Sequence, residues 1–173
     1  MKKLALLLVV MAMTSLMPGF ASAAGVTKVH GGGTGTFGAD LDGDGQTDGS
    51  QFGMGVTIRG SDTAAGHFLC LMAGRSRFLD LAVMSVEGQV GAGTLNDARS
   101  VTFMGVGTVN LGKGDIFRGI PFEVRVWAGG PGVGKMQLTV IGVFDGVPGD
   151  SIPGNGNYDL PPETVVSGQI AIT

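Results

Sequence analysis

Cysteine occurs once in the 173 residues, at Cys70, so no disulfide can form within the chain and packing alone must hold the fold. Basic residues are scarce, 11 Lys plus Arg against 14 Asp plus Glu. With no basic stripe and no RNA-binding aromatic pattern, the phosphate-backbone attraction behind nucleic-acid binding has no source. Beyond the N-terminus no apolar run approaches the ~18 residues that a membrane-crossing helix needs. Catalytic signatures are missing as well. Neither Gly-x-Ser-x-Gly nor His-Glu-x-x-His occurs, and only His30 and His67 could serve as imidazole bases. The run VHGGGTG around His30 lacks the Lys-Ser/Thr ending of a phosphate loop. Cys70, between Leu69 and Leu71, reads as a buried thiol and not as an electropositive nucleophile. No enzyme is expected.

What is present begins with a three-part leader. Met1-Lys2-Lys3 is basic, Leu4 to Leu16 is almost wholly apolar, and Ala21-Ser22-Ala23 fits a small-residue cleavage site. The pattern predicts a secretory signal peptide over residues 1–23 and one secreted domain over 24–173, located outside the cell, on its surface or in a periplasm. That domain of 150 residues is large enough to bury about 70% of its unfolded surface. With Lys2 and Lys3 gone, 9 basic residues face 14 acidic ones, a formal charge of −5.

Glycine is abundant, 33 of 173, without a collagen triplet, and apolar residues make up 43%. Their beat is two. QFGMGVTIR (51–59) places Phe52, Met54, Val56 and Ile58 on one face, and GIPFEVRVWA (119–128) does the same with Ile120, Phe122, Val124 and Val126. KMQLTVIGVF (135–144) and the stretch with Val166, Ile170 and Ile172 are read likewise, and HFLCLMA (67–73) as a central strand apolar on both faces. With no sustained helical spacing, the expectation is an all-β, antiparallel sandwich or jelly-roll barrel of about eight strands.

The densest charge lies in DLDGDGQTDGS, residues 40–50. Asp40, Asp42 and Asp44 stand at positions one, three and five of a DxDxDG loop, Gln46 offers a carbonyl at seven, and Asp48 falls at nine. Alternate side chains on a tight arc can converge on one hard cation, which makes Ca2+ the expected cofactor. Gln51 replaces the bidentate glutamate at twelve. The loop resembles the calcium loops of dockerins and thrombospondin-type repeats; the competing reading is an Asp-Gly turn without metal.

A second polar loop, Asp145 to Glu163, carries Asp145, Asp150, Asn155, Asn157 and Asp159 without ordered ligand spacing and reads as a crossover of tight turns. VFDGVPGDSIPGNGNYDLPPETVVSGQIAIT is similar to the ending of uncharacterised secreted bacterial β-domains of the post-COAP type. That resemblance implies an all-β extracellular module without established catalysis. Trp127, opposite the apolar face of its strand, and Tyr158 are the candidate ligand-binding rings. The functional expectation is a secreted binding or structural module braced by calcium, whose partner is an extracellular protein or a glycan. A carbohydrate-binding module is the alternative, and a weak hydrolase using Glu87 and Glu123 the second.

Overall fold

A computed structural model describes residues 25–60, 62–72, 84–112 and 114–173; the expected leader lies outside the described residues. Among the described residues nine strands follow one another: β1 (Val26–Thr36), β2 (Gln51–Arg59), β3 (Ala64–Leu71), β4 (Ser85–Asp97), β5 (Ser100–Asn110), β6 (Ile116–Trp127), β7 (Lys135–Val140), β8 (Tyr158–Asp159) and β9 (Glu163–Ile172). From β1 to β7 each strand pairs antiparallel with the next. β9 then lies between β7 and β1, so the sheet closes into a ring. β8 and β9 run in series along one side of β7: Tyr158 and Asp159 face Val140 and Thr139, while Glu163 and Thr164 face Met136 and Lys135. The all-β antiparallel class is the one expected. Neighbours in the ring are neighbours in sequence, which makes most connections hairpins.

Alternation sorts the side chains as binary patterning requires. Phe52, Met54, Val56 and Ile58 of β2, Val101, Phe103 and Val109 of β5, and Phe122, Val124 and Val126 of β6 all point into one apolar core. Phe68 sits at its centre, edge-on to Phe103 at 5.9 Å and tilted against Phe122 at 5.5 Å. Phe122 rests on glycine: a Cβ on Gly88 or Gly105 would stand 2.6 Å and 2.5 Å from its ring. These glycines therefore make room for the buried Phe122 ring. The outward positions carry Arg59, His67, Glu87, Gln89, Glu123 and Arg125. Among the described residues no helix is long and apolar enough to cross a membrane.

Three local expectations need correction. HFLCLMA is not apolar-buried on both faces: Phe68 and Cys70 point inward, but Leu69 is 37% exposed. Val166 is 50% exposed and Val165 takes the core position. The register between β1 and β9 skips Val166, pairing Thr34 with Ser167 and Gly35 with Val165, and that bulge shifts the parity by one. The strand read over residues 135–144 stops at Val140, because Gly142 and Phe144 take positive φ of 77° and 62° and turn the chain out of the ladder.

Candidate functional site

The acidic turn is the connection between β1 and β2, and its stem is zipped by the main chain. Gly35 N donates to Ser50 O (2.9 Å), Phe37 N to Asp48 O (3.0 Å) and Asp48 N to Ala39 O (2.9 Å). Thr36 Oγ1 adds a bond to Asp48 O at 3.1 Å. The ladder thus continues past the strand ends and carries Asp48 inside, where it is 0% exposed.

Above the stem the chain winds around Asp40, whose carboxylate accepts from Gly43 N (2.7 Å), Asp44 N (3.1 Å) and Gly45 N (2.8 Å). Gly43 and Gly45 adopt φ of 78° and 87°, which a Cβ would strain, so the glycines between the acids are what allow this winding. The Gly45 N–H, assisted by those of Gly43 and Asp44, holds the Asp40 carboxyl below its ordinary range.

Carboxylate oxygens of Asp40, Asp42 and Asp48 all lie within 4.8 Å of one another. Asp48 Oδ2 accepts from Leu41 N and from Asp42 N, the latter at 3.1 Å. Asp48 Oδ1 is buried and has no hydrogen-bond partner. A buried carboxylate oxygen without a donor is costly, and two further carboxylates beside it raise that cost. A hard cation answers both, since it takes oxygen ligands and neutralises the converging charge. Three of the five expected ligand residues are therefore brought together. Asp44 is exposed and turns its Oδ1 to Gln46 N at 2.8 Å; Gln46 is exposed and tied to the turn through that N–H.

The loop from Asp145 to Asp159 uses its acids internally. Asp145 accepts from Gly154 N and Gly156 N, at 2.6 and 3.0 Å, and Asp150 from Gly146 N, Ile152 N and Asp159 N at 2.8 to 3.2 Å. Asp159 receives Thr139 Oγ1 and Asn155 Nδ2, both at 2.7 Å. The carboxylates replace a regular ladder by capping turns, as expected of a crossover. The loop packs beside the acidic turn: a Cβ on Gly149 would stand 3.9 Å from that of Leu41.

Tyr158 is not available as a binding ring. It is 1% exposed, packs in the core, and its hydroxyl donates to Pro148 O at 3.2 Å. Burial, together with the charges of Asp150 and Asp48, pushes its phenol pKa up. Trp127 keeps the outward orientation expected of it. It is half-buried and flanked in the sheet by Ser100 and Lys135. With Arg99, Ala128, Val133, Lys135 and Pro162 it lines an open groove of about 480 Å³, and the Arg125 guanidinium stands 4.8 Å from its ring centre.

The carboxylates proposed for hydrolysis do not face each other. Glu87 and Glu123 flank β5 opposite Thr108 and Met104, two strand spacings apart laterally and four residues along. Ladder geometry puts their backbones about 16 Å apart, so their side chains would have to lean toward each other to reach the roughly 5 to 9.5 Å between glycosidase carboxyl groups. Glu87 pairs instead with His67 Nε2 at 3.2 Å on the exposed surface. His30 is exposed on β1.

Ser50 and Glu163 form a buried pair that sequence reasoning missed. Glu163, 2% exposed, receives Ser50 Oγ at 2.7 and 2.8 Å and Ser50 N at 3.2 Å. Gly35 leaves room for this carboxylate, because a Cβ there would stand 2.3 Å from it. The available signal was parity: Glu163 is two residues before the inward Val165. Cys70 lies nearby, and burial first, then the Glu163 charge, pushes its thiol pKa up, as befits an inert core cysteine. No protein-family model, curated protein or solved structure matches this chain.

Proposed function

We propose that the protein is a secreted extracellular or cell-surface binding or structural module whose β1–β2 turn holds a structural calcium ion at Asp40, Asp42 and Asp48. The observation that carries this reading is that Asp48, whose buried Oδ1 has no hydrogen-bond partner, converges with the carboxylates of Asp40 and Asp42. An all-oxygen donor set on a glycine-hinged turn suits calcium, which accepts variable geometry and completes its shell with main-chain carbonyls and water. The ion braces the turn against the barrel end and does no chemistry. The expected leader and the post-COAP-type resemblance of the C-terminal stretch support the extracellular setting, where calcium is present at about millimolar concentration and a weak site is filled.

The test is thermal unfolding of residues 24–173 in EDTA and in calcium titrated to saturation. At about one hundred times its dissociation constant the ion adds roughly 2.7 kcal/mol. For a domain of this size that is a rise of about 5 to 10 °C. Asp40→Asn/Asp42→Asn should abolish the rise; an unchanged midpoint in the unsubstituted protein would reject the site.

A further inference from the structure

In a chain of net charge −3, the groove beside Trp127 is lined by Arg99 and Lys135 and, among the described residues, by no carboxylate. Neither cation is held in an ion pair among those residues. We propose that this groove binds an acidic saccharide, with a pyranose ring against the Trp127 indole and its carboxylate between Arg99 and Lys135. This site shares no lining residue with the acidic turn, so it stands or falls separately from the calcium reading.

The groove is built in advance. Arg125 over the indole fixes one ring face and limits the rotamer freedom lost on binding. Arg99 is positioned by its Nη2 bond to Ala128 O (3.1 Å) and by its own N–H on Asp97 Oδ1 (2.7 Å). Lys135 is the direct cross-strand partner of Trp127, which sets an ammonium beside the ring on the same sheet face. A guanidinium fork matches a carboxylate with two parallel bonds, while the ammonium adds a point charge. Val133 and Pro162, both exposed, supply the apolar walls that the C–H faces of a sugar require. A neutral sugar would leave both cations unanswered, and charge complementarity selects the acidic one.

Trp127 is the chain's only tryptophan, so its fluorescence reports the groove directly. The intact protein is titrated with a cello-oligosaccharide, with its C6-oxidised glucuronate form and with a short polyglutamate peptide. The expected result is a saturable change with the glucuronate chain and binding at least about tenfold weaker for the other two, a free-energy gap of about 1.4 kcal/mol. Added salt should weaken the acidic ligand. Arg99→Gln/Lys135→Gln should lose about tenfold in affinity at an unchanged melting midpoint, and Trp127→Ala, followed by calorimetry, should lose binding to both sugars. Equal binding of the neutral sugar, equal binding of the peptide, an unaffected double variant or no saturable signal would each overturn the assignment.

Discussion

Replacing Asp48 with Asn should stabilise the calcium-free protein and lose part or all of that advantage in calcium. The substitution keeps one side-chain oxygen to accept from Leu41 N and Asp42 N, as Oδ2 does now. In place of the unpartnered Oδ1 it sets an NH2 group, a donor on a residue whose carboxylate has an oxygen within 4.8 Å of one from Asp40 and one from Asp42, and which can turn to either. A new hydrogen bond to a charged acceptor contributes about 1.5 to 3 kcal/mol, and loss of one converging charge acts in the same direction. In EDTA the Asp48→Asn protein should therefore melt about 3 to 12 °C above the unsubstituted one, at roughly 2 to 4 °C per kcal/mol for this size. In saturating calcium the unsubstituted protein gains the binding energy and the variant gains nothing, so the order narrows or reverses. The assay is thermal and urea unfolding followed by Trp127 fluorescence and circular dichroism, each at both calcium levels. A variant destabilised by more than about 1 kcal/mol in EDTA would refute the reasoning, because it would mean that the protein itself already satisfies the Asp48 charge.

Other consequences follow from the same geometry. Phe122→Ala should cost about 3 to 5 kcal/mol, at the upper end for such changes, because Gly88 and Gly105 beneath the ring offer no side chains to refill the space. Urea midpoints at unchanged m-value measure this, and a loss below about 2 kcal/mol would show that the barrel collapses into the void. Asp97 is held below its ordinary pKa first by the Ser100 hydroxyl and then by the Arg99 N–H. A depressed folded pKa gives stability that is present above the unfolded value near 3.9 and is lost as pH falls through the folded one. Asp97→Asn should accordingly be the less stable protein at neutral pH and match the unsubstituted one at strongly acid pH; parallel stability curves over that range would exclude the linkage.

The class of the fold was legible because alternation is local: Phe52 to Ile58 and Phe122 to Val126 declare one wet and one dry face without knowledge of their partners. Bulges are not written in composition, so the inward role passed from Val166 to Val165 unannounced. Leu69 misled because its apolar character says nothing of its neighbours, and single apolar side chains on a surface are ordinary. At the site, the spacing of Asp40, Asp42 and Asp48 was readable. The burial of Asp48 was not, since it depends on the stem bonds from Phe37 N and to Ala39 O. Tyr158 and Glu163 entered the interior through the pairing of β8 and β9 along β7, a contact no single segment specifies.

Ring closure also sets an order of events. β9 meets β1 through pairs such as Gly33 with Gly168, while β1 to β7 can assemble hairpin by hairpin. The slow step in folding is then the capture of one late strand by two waiting edges, a closure whose entropic cost grows only logarithmically with the intervening chain but which must precede its reward. Until that capture, β1 and β7 are open templates for pairing with other chains, and the interval before β9 docks is when this molecule is most exposed to misassembly.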